Sequence, residues 1–457
     1  MELVSNERDV PGKHGRHFSP PRPWFKSGIR AFPEDKIVDQ AEQVIIGSSA
    51  AGLSALEAIR KIDRQCPIIL ISKEAGPPYS RVALTHYIAG EIKFKGMRMR
   101  DGDYYGKMGV KALLGKEVVS LDTARKCVTL DDGSAISYDK LLIATGSKPL
   151  ILPIEGTGRR GVYTCLSSAD ARKILRTADL TEEVVVIGAG LIGIQAADGL
   201  YRRGLQVSLV EKLPQVLPLM IDETAAGMAE AHLREKGIRV RTGQSAQKVL
   251  GKGPRVSGVA LESGEIIPCQ MVIMAAGVAP NVDFLQGSGV TVNRGILVDE
   301  RQQTNIPGIY AAGDVAETVD LLSGERVVNA IWPEALFQGE IAGLNMAGVP
   351  ATYQGSLAMN VTSFLGLSMA SLGLWEAPGG PYEVKAQTDK GRRTYRKLVF
   401  RDGKLVGAVL VGHIEEAGVL HAMIRAGTTF DLKGEDLLPQ PITWGRILLA
   451  NALPGRG

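Results

Sequence analysis

Two stretches of the chain carry residue types and spacings suited to holding a phosphate. VVIGAGLIG, residues 185–193, places Gly188, Gly190 and Gly193 in the order Gly-x-Gly-x-x-Gly, with Ile192 just before the last. VIIGSSAAG, residues 44–52, keeps Gly47 and Gly52 but has Ser49 at the middle position, beside the small Ala50 and Ala51. A strand that turns directly into a helix leaves the first N–H groups of that helix unpaired. Together with the helix dipole they attract a pyrophosphate. Glycine is needed where a Cβ would hold the phosphate off. After the second stretch, QVSLVEK brings Glu211 to the end of the next strand. A carboxylate there accepts the ribose hydroxyls of an adenosine and repels a 2′-phosphate, which favours NADH over NADPH. The neighbouring Lys212 softens that preference. After the first stretch, LISKEAG offers Lys73 and then Glu74, and Glu74 is the candidate for a ribose contact. Ser49 adds a Cβ to its turn, but also an Oγ able to bond a phosphate.

Three further turns follow buried-strand text. LLIATGSKP carries Thr145 and Gly146, MVIMAAGVAPN carries Gly277, and GIYAAGDVAE carries Gly313 and Asp314. An Asp behind a glycine at a strand end can hydrogen-bond the ribityl chain of a flavin.

These turns need a particular scaffold. QVIIG reads as a buried strand, AAGLSALEAIRKI as an amphipathic helix and PIILIS as a second strand, which is the opening of a doubly wound sheet. The same grammar restarts at 183, a repeat of architecture rather than of sequence. The predicted fold is α/β, with two Rossmann-like dinucleotide-binding domains and a C-terminal α+β domain. The expected division is 1–40, an N-terminal extension; 41–150, first part of one dinucleotide-binding domain; 151–280, the second such domain; 281–350, the remainder of the first; and 351–457, the C-terminal domain. The extension is rich in Pro, Gly and charge yet carries Trp24, Phe25, Ile29 and Phe32, which reads as an arm that docks on something.

The bulk composition excludes several classes. A net charge of +4 asks for neither nucleic acid nor an acidic membrane surface. No run of eighteen or more apolar residues is present and the N-terminus has no signal-peptide core, so the expectation is a cytoplasmic protein without membrane insertion. Cys66, Cys127, Cys165 and Cys269 are far apart, which leaves no Cys-x-x-Cys for zinc or disulfide chemistry and no cysteine cluster for iron–sulfur ligation.

The joint order of VIIGSSAAG, PPYSRVALTHYIAGE, LLIATGSKP, VVIGAGLIG, AAGVAPN and GIYAAGDVAE resembles the FAD-dependent pyridine nucleotide oxidoreductases of the two-dinucleotide-binding-domain type. The similarity is to the branch with NADH oxidases, the flavin half of assimilatory nitrite reductases, and rubredoxin or ferredoxin reductases. It runs from about residue 42 to the end of the chain. The resemblance implies FAD at Gly47, Ser49, Ala51 and Gly52, and NAD(H) at Gly188, Gly190, Ile192, Gly193 and Glu211. It makes Thr145–Gly146 and Gly277 the crossovers between the two domains, and puts Gly313 and Asp314 on the flavin. It places Arg81 near the flavin ring, the backbone of Val118 at the adenine, and Trp332 at the pyrimidine end of the isoalloxazine. The helix after Trp332 would then stabilise negative charge on reduced flavin.

Two departures stand out. Disulfide reductases of this kind carry a Cys-x-x-x-x-Cys beside the flavin, and related peroxidases a single cysteine; residues 77–90 here contain none. Ferredoxin-reductase-like relatives often pair a lysine with a glutamate near flavin N5, and those positions are His86 and Gln195 here. One reading is drift at tolerant positions. The sharper one has His86 and Gln195 place the nicotinamide and tune the proton inventory at N5.

Hydride transfer asks the protein for positioning and dryness more than for an acid or base. With no iron–sulfur ligands in the chain, a one-electron partner must be another protein or subunit. The leading expectation is a flavoprotein joining NAD(H) to an iron–sulfur protein or to the subunits of a larger complex, as in phenylglyoxylate:acceptor oxidoreductase. The alternatives are a free-standing NADH oxidase and an interaction protein that keeps FAD as a structural or redox-sensing element. In the resemblance the C-terminal domain often forms a homodimer, and SFLGLSMASLG is apolar enough for core or interface.

Overall fold

The computed structural model describes residues 37–377 and 380–429. The N-terminal arm expected over 1–40 lies almost wholly outside the described residues, as does the end of the chain.

Short runs of Val, Ile and Leu form strands buried on both faces, the pattern of a parallel sheet covered by helices. Ile68–Ser72 and Met271–Met274 are buried at every residue. The first sheet orders Val110–Leu114, Ile68–Ser72, Ile37–Ile46, Ala135–Ile143, Cys127–Leu130 and Val118–Asp122, with Ile309–Ala311 returning late in the chain to pair with Ala135–Ile143. The second orders Arg239–Arg241, Gln206–Val210, Glu183–Ile187, Met271–Met274 and Val162–Thr164, parallel throughout. The chain crosses between the sheets twice, and the crossings pair with each other. Ser147–Pro149 runs antiparallel to Val278–Pro280. The Asn281 N–H donates to the Gly146 carbonyl at 2.9 Å, and the Thr145 hydroxyl to the Asn281 carbonyl at 2.9 Å.

Helix Ala50–Ile62 follows the first glycine turn and packs along helix Trp332–Met346. Two glycines allow the close approach. A Cβ on Gly339 would stand 2.3 Å from the Ala51 carbonyl oxygen, and one on Gly343 2.5 Å from that of Ala55.

The C-terminal region is a five-stranded antiparallel sheet, ordered Met359–Phe364, Leu367–Gly373, Lys404–Val411, Thr394–Arg401 and Tyr382–Asp389, with helix Ala417–Ala426 against it. Its strands alternate sides as the period of two requires. Phe364, Met369, Val409 and Val411 share a core with Val184, Val186 and Leu200 of the second parallel sheet and its helix. Leu372, Leu398, Ala408 and Leu410 pack against Leu420, Met423 and Ile424. Both faces are therefore covered over the central strands, and Phe364, Leu367, Met369, Ala370 and Leu372 of the SFLGLSMASLG stretch are core, while the outer strand Tyr382–Asp389 is mostly exposed. Polar ties reinforce the first contact: Asp222, which caps helix Glu223–Glu235, receives the Tyr395 hydroxyl at 2.8 Å and the Lys397 ammonium at 2.9 Å.

Candidate dinucleotide sites

In open α/β sheets, ligands bind outside the carboxyl ends of the parallel strands. Strand register decides which turns meet there. Ile46 and Ala311 both lie opposite Ile143. The turns after these strands, Gly47–Gly52, Thr145–Gly146 and Gly313–Asp314, therefore open on one edge. They also touch. The Ser147 hydroxyl donates to Asp314 Oδ2 at 2.8 Å, and the Gly313 N–H to Gln338 Oε1 at 2.8 Å. Trp332 begins its helix beside this edge, packed against the core that holds Ala51, Ala312 and Ala335. In the second sheet Met274 lies opposite Ile187, so the Ala275–Gly277 turn faces Gly188–Gly193.

The two glycine turns have the same backbone. Gly47 and Gly188 sit at φ +119° and +103°, values that suit glycine, and a Cβ on either would stand within 2.3 Å of the carbonyl oxygen of Ala144 or Ala275. Gly52 and Gly193 pack on Gly47 and Gly188, where a Cβ would reach 2.0 and 1.8 Å from their carbonyl oxygens. The middle positions differ. Ser49 and Gly190 both precede the helix in extended conformation, at φ −99° and −73°, so neither backbone needs glycine. A Cβ at Gly190 would meet nothing within 4 Å, which leaves open space for a phosphate at the helix N-terminus. The residues present thus fit dinucleotides at both turns.

The polar groups beside the turns differ more. The Gly47 N–H donates to the Ile71 carbonyl at 2.8 Å, and the Gly188 N–H to the Val210 carbonyl at 2.8 Å. Ser72 is therefore the counterpart of Glu211. The Glu211 carboxylate is buried and fixed at its turn, accepting from the N–H groups of Ala189 at 2.7 Å and Leu213 at 2.9 Å. Ser72 instead shares a 2.8 Å hydrogen bond with the hydroxyl of Ser48. Glu74, the expected ribose acid, lies farther along. It accepts from Arg81 Nη2 at 2.5 Å and the Tyr79 hydroxyl at 2.6 Å, while Lys73 pairs with Glu117 at 2.7 Å. Arg81 also donates to the Leu166 carbonyl at 2.7 Å, which ties the first dinucleotide-binding region to the start of the second. Val118 is buried in the core that holds Val44 and Ile71.

No hydrogen bond joins His86 to Gln195. His86 is exposed and its Nδ1 meets Glu91 at 2.6 Å. Gln195 instead meets Thr85, the residue before, whose hydroxyl lies 3.4 Å from Gln195 Oε1, and its Nε2 donates to Thr362 of the C-terminal sheet at 3.2 Å. Helix Leu84–Ala89 lies close on helix Leu191–Arg202 at Gly199, where a Cβ would come within 3.1 Å of the Thr85 carbonyl oxygen. No spacing rule in the sequence reveals that approach.

All four cysteines are buried. Burial pushes the thiols of Cys165 and Cys269 up to about 12 and that of Cys66 to about 11, so each is a protonated thiol at neutral pH. Among the described residues no cluster of His, Cys, Asp and Glu could hold a metal ion, and no helix is long and apolar enough to cross a membrane.

Comparison with known proteins agrees with the fold. Residues 41–339 match the family described as pyridine nucleotide-disulphide oxidoreductase, and residues 359–428 match the rubredoxin NAD+ reductase C-terminal domain. The chain is 33% identical to the NADH-dependent phenylglyoxylate dehydrogenase subunit epsilon of Aromatoleum evansii, over 91% of this chain and 99% of that one. It is 36% identical to an NADH oxidase of Methanocaldococcus jannaschii, over 83% and 89%. Among solved structures, the NAD-dependent persulfide reductase from A. fulgidus superposes with a TM-score of 0.80 at 29% identity, covering 86% of this chain and 79% of that one.

Proposed function

Because the chain belongs to the pyridine nucleotide-disulphide oxidoreductase family, we propose that its two glycine turns work in series, FAD at Gly47–Gly52 and NAD(H) at Gly188–Gly193. The protein is an NAD(H)-dependent flavoprotein oxidoreductase that uses FAD and exchanges hydride between the two cofactors. The observation that carries the order of the turns is the placement of polar groups. Glu211, fixed at the second turn, suits the ribose diol of NADH, and the Ser147–Asp314 pair beside the first turn suits a ribityl chain.

FAD, when bound, supplies the step from hydride exchange to single-electron delivery. The residues of the chain bind and orient. Backbone N–H groups at the two helix starts would hold pyrophosphates, and Trp332 and its helix would lie at the pyrimidine end of a bound flavin. Arg81 and Glu74 brace the ring end of the site. Gln195, held between Thr85 and Thr362, orients the nicotinamide, while His86 stays in its surface contact with Glu91. With all four cysteines buried, and the thiols of Cys66, Cys165 and Cys269 held protonated, the chain works without a redox-active cysteine.

The electrons pass to or from an iron–sulfur protein or a partner subunit, in the cytoplasm. The 33% identity with a subunit of an NADH-dependent dehydrogenase, over almost its whole length, supports this reading, as does the rubredoxin-reductase type of C-terminal domain. A homodimer through the C-terminal region would use strand edges or the exposed outer strand Tyr382–Asp389, since the central strands are covered on both faces. The NADH oxidase relative favours a second reading, with oxygen as the acceptor. Anaerobic stopped-flow reduction by NADH, then reoxidation by air or by a co-purified iron–sulfur protein, tests both. The electron-transfer reading predicts reoxidation by the iron–sulfur protein at least tenfold faster than by air-saturated buffer. The reverse ratio supports the oxidase.

A further inference from the structure

Helix Trp332–Met346 has an acid buried in its first turn. Glu334 is 1% exposed, a position where an acidic side chain needs partners. It has three. Its Oε2 accepts from the Tyr353 hydroxyl. Its Oε1 accepts from the Leu357 N–H at 3.3 Å and from Arg425 Nη1 at 3.3 Å. Arg425 comes from helix Ala417–Ala426 of the C-terminal region. Its other Nη donates to the Gly355 carbonyl at 3.4 Å, and its guanidinium lies over the Phe337 ring, 5.3 Å from the centroid. Burial, and then the Arg425 charge, hold the nearby His421 below its ordinary pKa, so it adds no charge at neutral pH. Tyr353 is held above its ordinary pKa by burial and by Glu334, so it stays a neutral donor.

One negative and one positive charge thus stand at the start of the helix whose N-terminus would face a flavin bound at the first turn. The unpaired N–H groups there favour negative charge nearby. Glu334 opposes that field from within the first turn, and Arg425 restores part of it from another region of the chain. We propose that Glu334 and Arg425 form a positioning pair that sets the field at this helix start, and through it the reduction potential of the bound flavin. The proposal rests on the placement of FAD given above. It makes the C-terminal region an electrostatic part of the flavin site, with no contact to the flavin required.

The signs separate this from a packing role. Arg425→Gln leaves Glu334 uncompensated and lowers the potential, while Glu334→Gln leaves Arg425 in excess and raises it. The double variant returns towards the wild-type value, and Arg425→Lys, which keeps the charge, stays near it. The expected size is about tenfold in the oxidised-to-reduced ratio, about 30 mV for a two-electron couple. The measurement is a dye-coupled reductive titration of the full-length FAD-bound protein, without NADH, with FAD content determined for each variant. Single variants that hold FAD but titrate at the wild-type potential overturn the proposal. So do single variants shifted in the same direction, as loosened packing would produce. If Glu334→Gln fails to hold FAD, Arg425→Gln against Arg425→Lys decides alone, and equal potentials overturn it. Failure of the underlying reading shows separately, as wild-type protein that holds no FAD or whose flavin NADH does not reduce.

Discussion

The two glycine turns share a backbone and differ in what surrounds it. Each has one glycine at positive φ against the carbonyl of a neighbouring strand and another packed on the first. At the second turn a buried carboxylate, Glu211, is hydrogen-bonded into the turn itself; at the first, a serine pair closes the same place. The difference teaches that the turn recognises only a pyrophosphate. The groups at the end of the next strand, and on strands that return later in the chain, decide which nucleotide the phosphate belongs to. Under the proposed placement of FAD, the selectivity of the first turn would lie at Asp314 and Trp332 rather than in the turn itself.

The strongest way to break the comparison is to block one turn and read both cofactors. Gly190→Val adds a side chain where a Cβ meets nothing within 4 Å, so the fold and FAD are expected to persist. Reduction by NADH should fall at least 100-fold in kcat/KM, about 2.7 kcal/mol of lost binding and positioning. Gly52→Val, by contrast, drives a Cβ into the Gly47 carbonyl and should yield protein without FAD. Absorbance of the purified variants checks both outcomes. Loss of FAD from Gly190→Val would reverse the assignment of the turns.

A smaller effect is expected at Glu211. Removing a charged hydrogen-bonding partner costs about 1.5–3 kcal/mol. Glu211→Ala should therefore raise KM for NADH roughly ten- to a hundredfold, with kcat changed less. NADPH, lacking the repulsion, should lose less or gain. Steady-state kinetics with both nucleotides gives the ratio, and an unchanged NADH/NADPH preference would remove Glu211 from the ribose.

How much of this was legible in the sequence follows from how local each feature is. The glycine turns, their strands and helices and the Gly313–Asp314 turn are set by near neighbours, and the spacing of residue types revealed them. The equivalence of Ser72 with Glu211 is a matter of register, fixed by one backbone hydrogen bond from each first glycine. Counting residues pointed instead to Glu74, whose carboxylate is engaged by Arg81 and Tyr79. Thr85 escaped notice because its approach to Gln195 depends on two helices meeting at Gly199. Glu334 and Arg425 are joined only by the packing of the C-terminal region.

The Thr85–Gln195–Thr362 contact gives a third test, of intermediate size. Gln195→Ala should slow flavin reduction by NADH about three- to tenfold, on the scale of a neutral hydrogen bond of about 1 kcal/mol. His86→Ala, at an exposed ion pair, should change it less than twofold. Stopped-flow traces of the two variants compare them directly, and a larger effect from His86 would mean that its side chain leaves Glu91 when NADH binds.

The smallest effect bears on the residue that makes the first turn look imperfect. Ser49 is extended, at φ −99° and ψ −160°, and its side chain makes no hydrogen bond capping the helix. Ser49→Gly therefore relieves no backbone strain and removes no cap. Serine and glycine at such a position differ by only a few tenths of a kcal/mol. The affinity for FAD, measured by reconstituting protein stripped of flavin, should change less than about twofold. A tenfold gain would mean that the Ser49 Cβ holds the pyrophosphate off, and the first turn would then be a weakened copy of the second. A tenfold loss would mean that its Oγ bonds the phosphate. A change within twofold places the distinction between the two sites beyond the turns, in the residues that Glu211 and Asp314 represent.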